Sequence, residues 1–103
     1  MGWADNYIKR LQVGEVVRFR PRGGSMKGYI ESGQLVTVEP YSSFYALSRG
    51  DIVLCRVEGH QYLHRVQSVD VPTRRVLIVN GSGRENGWTG FDKVYGRCTK
   101  VEP

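Results

Sequence analysis

The sequence predicts a mostly β domain, a coiled and mostly antiparallel sheet or partial barrel, with one short N-terminal helix. Three observations carry that prediction. A helical period of apolar residues is found only over residues 3–12. Beyond Gly14 the period becomes two, in runs rich in Val, Ile, Leu and Tyr. Glycine-rich clusters separate those runs, with no alternating helices between them.

The helix comes first. Trp3, Tyr7, Ile8 and Leu11 fall on one face with charged residues between them, and Gly14 ends the segment. The strand runs follow as "EVVRFR" (15–20), "QLVTVEP" (34–40), "DIVLCRV" (51–57), "QYLHRVQSV" (61–69), "RRVLIVN" (74–80) and "YGRCTKV" (95–101). Between them stand "PRGGS", "SRGD", "VEGH", "DVPT" and "NGSGRENG". Glu58-Gly59-His60 is short enough to close a hairpin between runs 51–57 and 61–69. Asp70-Val71-Pro72-Thr73 closes a second. With no repeat, linker or low-complexity segment, the 103 residues read as one domain, helix over 1–13 and β domain over 14–103.

Apolar residues at 40% and aromatics at 11% argue against disorder. No apolar run approaches the roughly 20 residues of a membrane helix. "MGWADNYIKRLQ" has no apolar stretch like that of a signal peptide. A soluble, cytoplasmic protein without a membrane anchor is expected. Cys55 and Cys98 show no CxxC or His/Cys metal spacing, so neither a metal site nor a cofactor is expected. Both cysteines fall in strand runs and read as buried free thiols, a disulfide being the alternative.

The net charge is +5. Lys9, Arg10, Arg18, Arg20, Arg22 and Lys27 occupy a stretch whose only acid is Glu15. Arg18, Arg20 and Arg22 alternate along one strand and so share a face, with Lys27 nearby. Such a patch could attract nucleic acid or an acidic partner; a solvated strand face is the plainer reading. The stretch holds no RNP-type aromatic motif and no helix-turn-helix pattern.

The segment "RPRGGSMKGYIESGQ" places Ser25 directly after two glycines. Glycines strip away side-chain cover and permit positive φ, so the backbone can bend sharply beside a ligand. That suits a nucleophile whose oxyanion is held by neighbouring N–H groups, and equally an ordinary tight turn. A proton acceptor is the missing piece. His60 falls in a hairpin turn, where a polar residue needs no special explanation. His64 lies inside a strand, sharing a face with Tyr62 and Val66, and a neutral imidazole is a competent base near pH 7.

In order, the chain reads "GGSMKGYIESGQLVTVE", "LSRGDIVLCRV", "QYLHRVQSV", "VLIVNGSGRENG" and "VYGRCTKV". This succession, over residues 15–101, resembles the peptidase domain shared by signal peptidases and LexA-type repressors. The resemblance implies a coiled antiparallel β fold and a serine peptidase of that type. It puts the nucleophile at Ser25 and the general base at His64, in a "HRV" setting like that of archaeal and endoplasmic-reticulum signal peptidases. Backbone N–H groups of Ser25 and Gly24 would hold the oxyanion.

Departures accompany the matches. Ser82, in "NGSGREN", stands where the histidine branch carries a carboxylate to orient its imidazole. Gly28 replaces the signal-peptidase proline, and Gly33-Gln34 the first Gly-Asp. Two readings follow. One is a soluble peptidase cleaving a peptide or protein substrate through Ser25 and His64. The other is a module of the same fold without turnover, binding a peptide strand, a protein partner or nucleic acid, with strand addition as the natural mode.

Overall fold

A computed structural model describes residues 2–103. Helix α1 spans Asp5–Gln12. Seven strands follow: β1 Val17–Phe19, β2 Leu35–Glu39, β3 Ile52–Val57, β4 His60–Asp70, β5 Arg75–Val79, β6 Glu85–Gly90 and β7 Val94–Glu102. Short 3₁₀ turns at Phe44–Ala46 and Phe91–Lys93 complete the chain. All strands join one sheet in the order β1-β2-β7-β3-β4-β5-β6, every neighbouring pair antiparallel. The sheet is not closed into a barrel. β6 ends it as an edge strand, turned back so that Thr89 Oγ1 donates to the Arg56 carbonyl at 2.7 Å.

Local rules account for most of these elements. Gly14, at φ +87°, stops α1, whose last carbonyls accept from Val13 and Gly14 N–H. The β3–β4 hairpin turns on two residues, Glu58 (φ 49°) and Gly59 (φ 82°), both left-handed as a two-residue turn matched to strand twist requires. His60, expected in that turn, is instead the exposed first residue of β4. Alternation then divides the core between the faces of the sheet. Leu54 and Leu63 pack with Ile8, Leu11, Phe19 and Met26 on the helix side. Val53, Cys55, Val57 and Val66 pack with Val76 and Ile78 on the other.

Three further expectations shift. The helix begins at Asp5 rather than residue 3. The turn cluster "NGSGRENG" takes in Glu85, Asn86 and Gly87, which are poor strand formers; pairing with the buried β5 makes them the start of a strand nonetheless. Arg18, Arg20 and Arg22 do not alternate along one strand, since β1 ends at Phe19. Arg20 Nη1 is drawn to the carbonyls of Gly33 and Pro103, at 2.9 and 3.3 Å. Arg22 lies beyond Pro21, beside the cleft described next. Both cysteines are free: Cys55 is buried, and burial pushes its thiol up to about 12, while Cys98 is half-buried. Among the described residues no helix is long and apolar enough to cross a membrane, and no cluster of His, Cys, Asp or Glu could hold a metal ion.

Candidate active site

Ser25 sits on a turn between β1 and β2, bracketed by Gly23 (φ 104°) and Gly28 (φ 95°). The neighbouring side chains anchor it: Met26 and Ile30 are buried in the helix-side core, and the Met26 carbonyl accepts from Tyr29 and Ile30 N–H. Ser25 itself remains exposed. Its carbonyl accepts from Gly81 N–H at 2.7 Å, which ties the turn to the loop after β5. Among the described residues, the N–H groups of Gly24, Ser25 and Met26 donate to no protein acceptor. Those of Gly24 and Ser25 are the groups expected to hold an oxyanion. The neighbouring Met26 N–H is equally free.

His64 comes from the middle of β4, opposite Val53 in the β3 ladder, and is only 6% exposed. Its Nε2 lies 3.1 Å from Ser25 Oγ. Its Nδ1 lies 2.7 Å from Asn86 Oδ1. The amide oxygen can only accept, so the ring proton belongs on Nδ1, leaving the Nε2 lone pair to accept from the serine hydroxyl. The Tyr62 ring stacks on the imidazole, with centroids 4.7 Å apart and planes at 22°, which fixes the ring plane. Burial lowers the His64 pKa from its ordinary 6.5, and the Asn86 hydrogen bond offsets part of that shift. A neutral base at pH 7 results.

Ser82 does not reach the imidazole. Its N–H and hydroxyl both donate to Asn80 Oδ1, at 3.1 and 2.9 Å, within the exposed turn. Asn86, not Ser82, bonds the imidazole, and the sequence gives no reading of it. The cause is a β-bulge: Ile78 pairs with Gly87 and Val79 with Glu85, so Asn86 is the extra residue between them. A bulge re-aims its side chain. The Asn86-Gly87 pair was the available signal, Gly87 taking φ 130°.

A cleft of about 140 Å³ opens at Ser25 and His64, lined by Trp3, Pro21, Arg22, Met26, Gln61 and Leu63 among others. Of the basic residues singled out, Arg22 alone lines it; Arg18 lies elsewhere, beside Arg10 and Val16, and Lys27 is exposed on the turn. One wall is a free strand edge. β5 pairs with β4 only from Arg65 onward, while β3 covers the other side of β4 from His60 to Arg65. His60 faces Val57 across the two-residue turn, so the peptide groups of His60, Tyr62 and His64 bond to β3. Those of Gln61 and Leu63 face away, towards the cleft.

Gly81 makes the docking of the two loops possible. A Cβ there would lie 3.0 Å from the Ser25 carbonyl oxygen and from Met26 backbone atoms. Gly81→Ala is therefore expected to slow acylation of Ser25 by about ten- to hundredfold through displacement of the turn. The melting temperature should move little, because the change lies in a surface loop; labelling time courses and thermal melts of the purified variant check both. No protein-family model matches this chain, and no curated protein does either.

Proposed function

We propose that this protein is a serine peptidase of the signal-peptidase and LexA type, hydrolysing peptide bonds through Ser25 and His64 with Asn86 holding the imidazole. One observation carries the reading: the unbroken chain of contacts from Ser25 Oγ through His64 to Asn86 Oδ1, at 3.1 and 2.7 Å. A packed structural histidine needs no exposed serine on its second nitrogen. The open antiparallel sheet and its short helix fit the coiled fold of that family.

Ser25 Oγ attacks the carbonyl carbon of a peptide laid along the β4 edge, and its proton passes to His64 Nε2. The carbonyl oxygen, now negative, is held by the free N–H groups of the Gly24–Met26 turn. Collapse of the tetrahedral intermediate breaks the C–N bond, and His64 returns the proton to the departing amine. Water, deprotonated by His64, then attacks the acyl carbon; the ester C–O bond breaks, the acid leaves, and His64 returns the proton to Ser25 Oγ. Asn86 keeps the correct tautomer, as the asparagine of Cys-His-Asn proteases does, but brings no charge to the imidazolium. Turnover slower than that of a carboxylate-supported site follows.

A fluorophosphonate probe at neutral pH tests this. Expected is one adduct, located by peptide mass mapping on Ser25 and lost in Ser25→Ala. If Ser25 stays unlabelled at millimolar probe over hours while the protein remains folded, the catalytic reading fails and the peptide-binding module takes its place.

A further inference from the structure

The free edge of β4 stops short, and a side chain from the N-terminal segment stops it. Trp3 Nε1 donates to the Gln61 carbonyl at 3.2 Å, occupying an acceptor that faces the cleft. The Gln61 side chain is tied to the same segment, its Oε1 accepting from Ala4 N–H at 2.8 Å and its Nε2 donating to Asp5. Trp3 is 52% exposed, yet its indole is held in place, tilted on Phe19 at 5.8 Å and edge-on to Tyr7 at 6.5 Å. Ala4, just behind it, is fully buried, so the segment is anchored. Leu63 alone keeps both its N–H and C=O free towards the cleft among the described residues.

We propose that Trp3 sets the length of peptide this cleft accepts: an extended chain docked beside Ser25 pairs with Leu63 and ends against the indole. This rests on the peptidase reading for what becomes of the peptide, but its binding arm does not need turnover. Adjacent strand residues advance roughly 3.3 Å each, so about two residues separate the ladder position of Leu63 from that of Gln61. A longer chain running in that direction meets the ring and finds the next carbonyl already bonded. Its further residues gain no backbone hydrogen bonds.

Acetylated and amidated oligoalanines of two to six residues, uncharged at both ends, are the probe. They are titrated into the Ser25→Ala variant, with the Leu63 backbone amide and the Trp3 indole N–H followed by NMR. With Trp3 present, affinity is expected to rise to about three residues and then to gain less than about twofold up to six. In Ser25→Ala/Trp3→Ala the six-residue peptide is expected to bind about fivefold more tightly than the three-residue one, as one or two added hydrogen bonds allow. Trp3→Phe keeps a smaller ring on Phe19 but lacks the indole N–H, so it frees the Gln61 carbonyl and serves if the alanine variant does not fold; it too should lengthen the plateau, by less than alanine does. Affinity that keeps climbing with length while Trp3 is present overturns the proposal. So does a plateau unchanged in both variants, or a Leu63 amide that responds to no peptide. Fluorophosphonate labelling of Ser25 in the Trp3 variants is read separately. Labelling without a change in length preference removes the role of Trp3 and leaves the dyad standing.

Discussion

Alanine at position 64 is expected to slow acylation of Ser25 by about 10²–10⁴-fold, the usual contribution of a positioned general base. Loss of the acceptor 3.1 Å from Oγ leaves the hydroxyl to ionise unaided. The pH profile is the sharper measurement. Acylation should rise with pH as His64 loses its proton, with a midpoint below 6.5, because burial disfavours the imidazolium. Asn86→Asp places a carboxylate against Nδ1, which favours the imidazolium and should move that midpoint upward while retaining labelling. Rates measured from pH 4 to 9 decide the matter: a midpoint unaffected by Asn86→Asp removes Asn86 from the site. Stability follows the same residue. Between its folded pKa and 6.5 the unfolded chain binds more protons at His64 than the folded one. Stability therefore rises with pH across that window and is lost on acidification through it.

Gly96→Ala is expected to be the most damaging small substitution outside the site. Gly96 lies in β7 beside a bulge, where Leu54 pairs with Gly96 and Cys55 with Val94. A Cβ there would stand 2.7 Å from the Glu39 carbonyl oxygen, 2.9 Å from Val38 Cγ1 and 3.1 Å from Leu11 Cδ2. The nearest of these is backbone, so a rotamer change cannot relieve it. Relief requires β2, β7 and α1 to separate, at a cost of about 1–3 kcal/mol or more. At about 4–8 °C per kcal/mol for a domain near this size, the melting temperature should fall well clear of error. Urea melts give the free energy directly. An unchanged midpoint would mean that the helix packs loosely on the sheet.

Elements whose side chains alternate between buried and solvated surroundings could be read from the sequence. β3 and β5 are rich in Val, Ile and Leu and largely buried, so composition marks them, while β4 is marked by its mixed period of Tyr, Leu and Val among polar residues. β6 could not be read that way. Its strand character comes from the partner it covers, a property of the chain at a distance. The same division runs through the site. Ser25 and His64 could be singled out because each has a local mark, a glycine turn for one and an internal strand for the other, and the structure brings them within 3.1 Å. Asn86 was hidden, since the direction of its side chain depends on a one-residue register slip against β5. The resemblance points to Ser82 in "NGSGREN", but the hydrogen bonds of Ser82 are local ones to Asn80. The arginines failed for a related reason: strict alternation assumes a strand, and Pro21 with the bonds of Arg20 takes the chain out of the ladder.

The place of β7 between β2 and β3 also bears on how the molecule is made. β3 through β6 form consecutive hairpins, whose contacts are near in sequence and close quickly. β2 has no such neighbour beyond the three residues of β1, and meets the rest of the sheet only through the final strand, Val38 pairing with Cys98. Among the strand pairings it closes the longest loop and so carries the largest closure entropy of the ladder. His64 and Asn86 belong to the hairpin array, whereas Ser25 belongs to the segment that β7 must bring in. During folding His64 and Asn86 can therefore stand together while Ser25 is still elsewhere, and the contact of Ser25 with His64 arrives with the last strand.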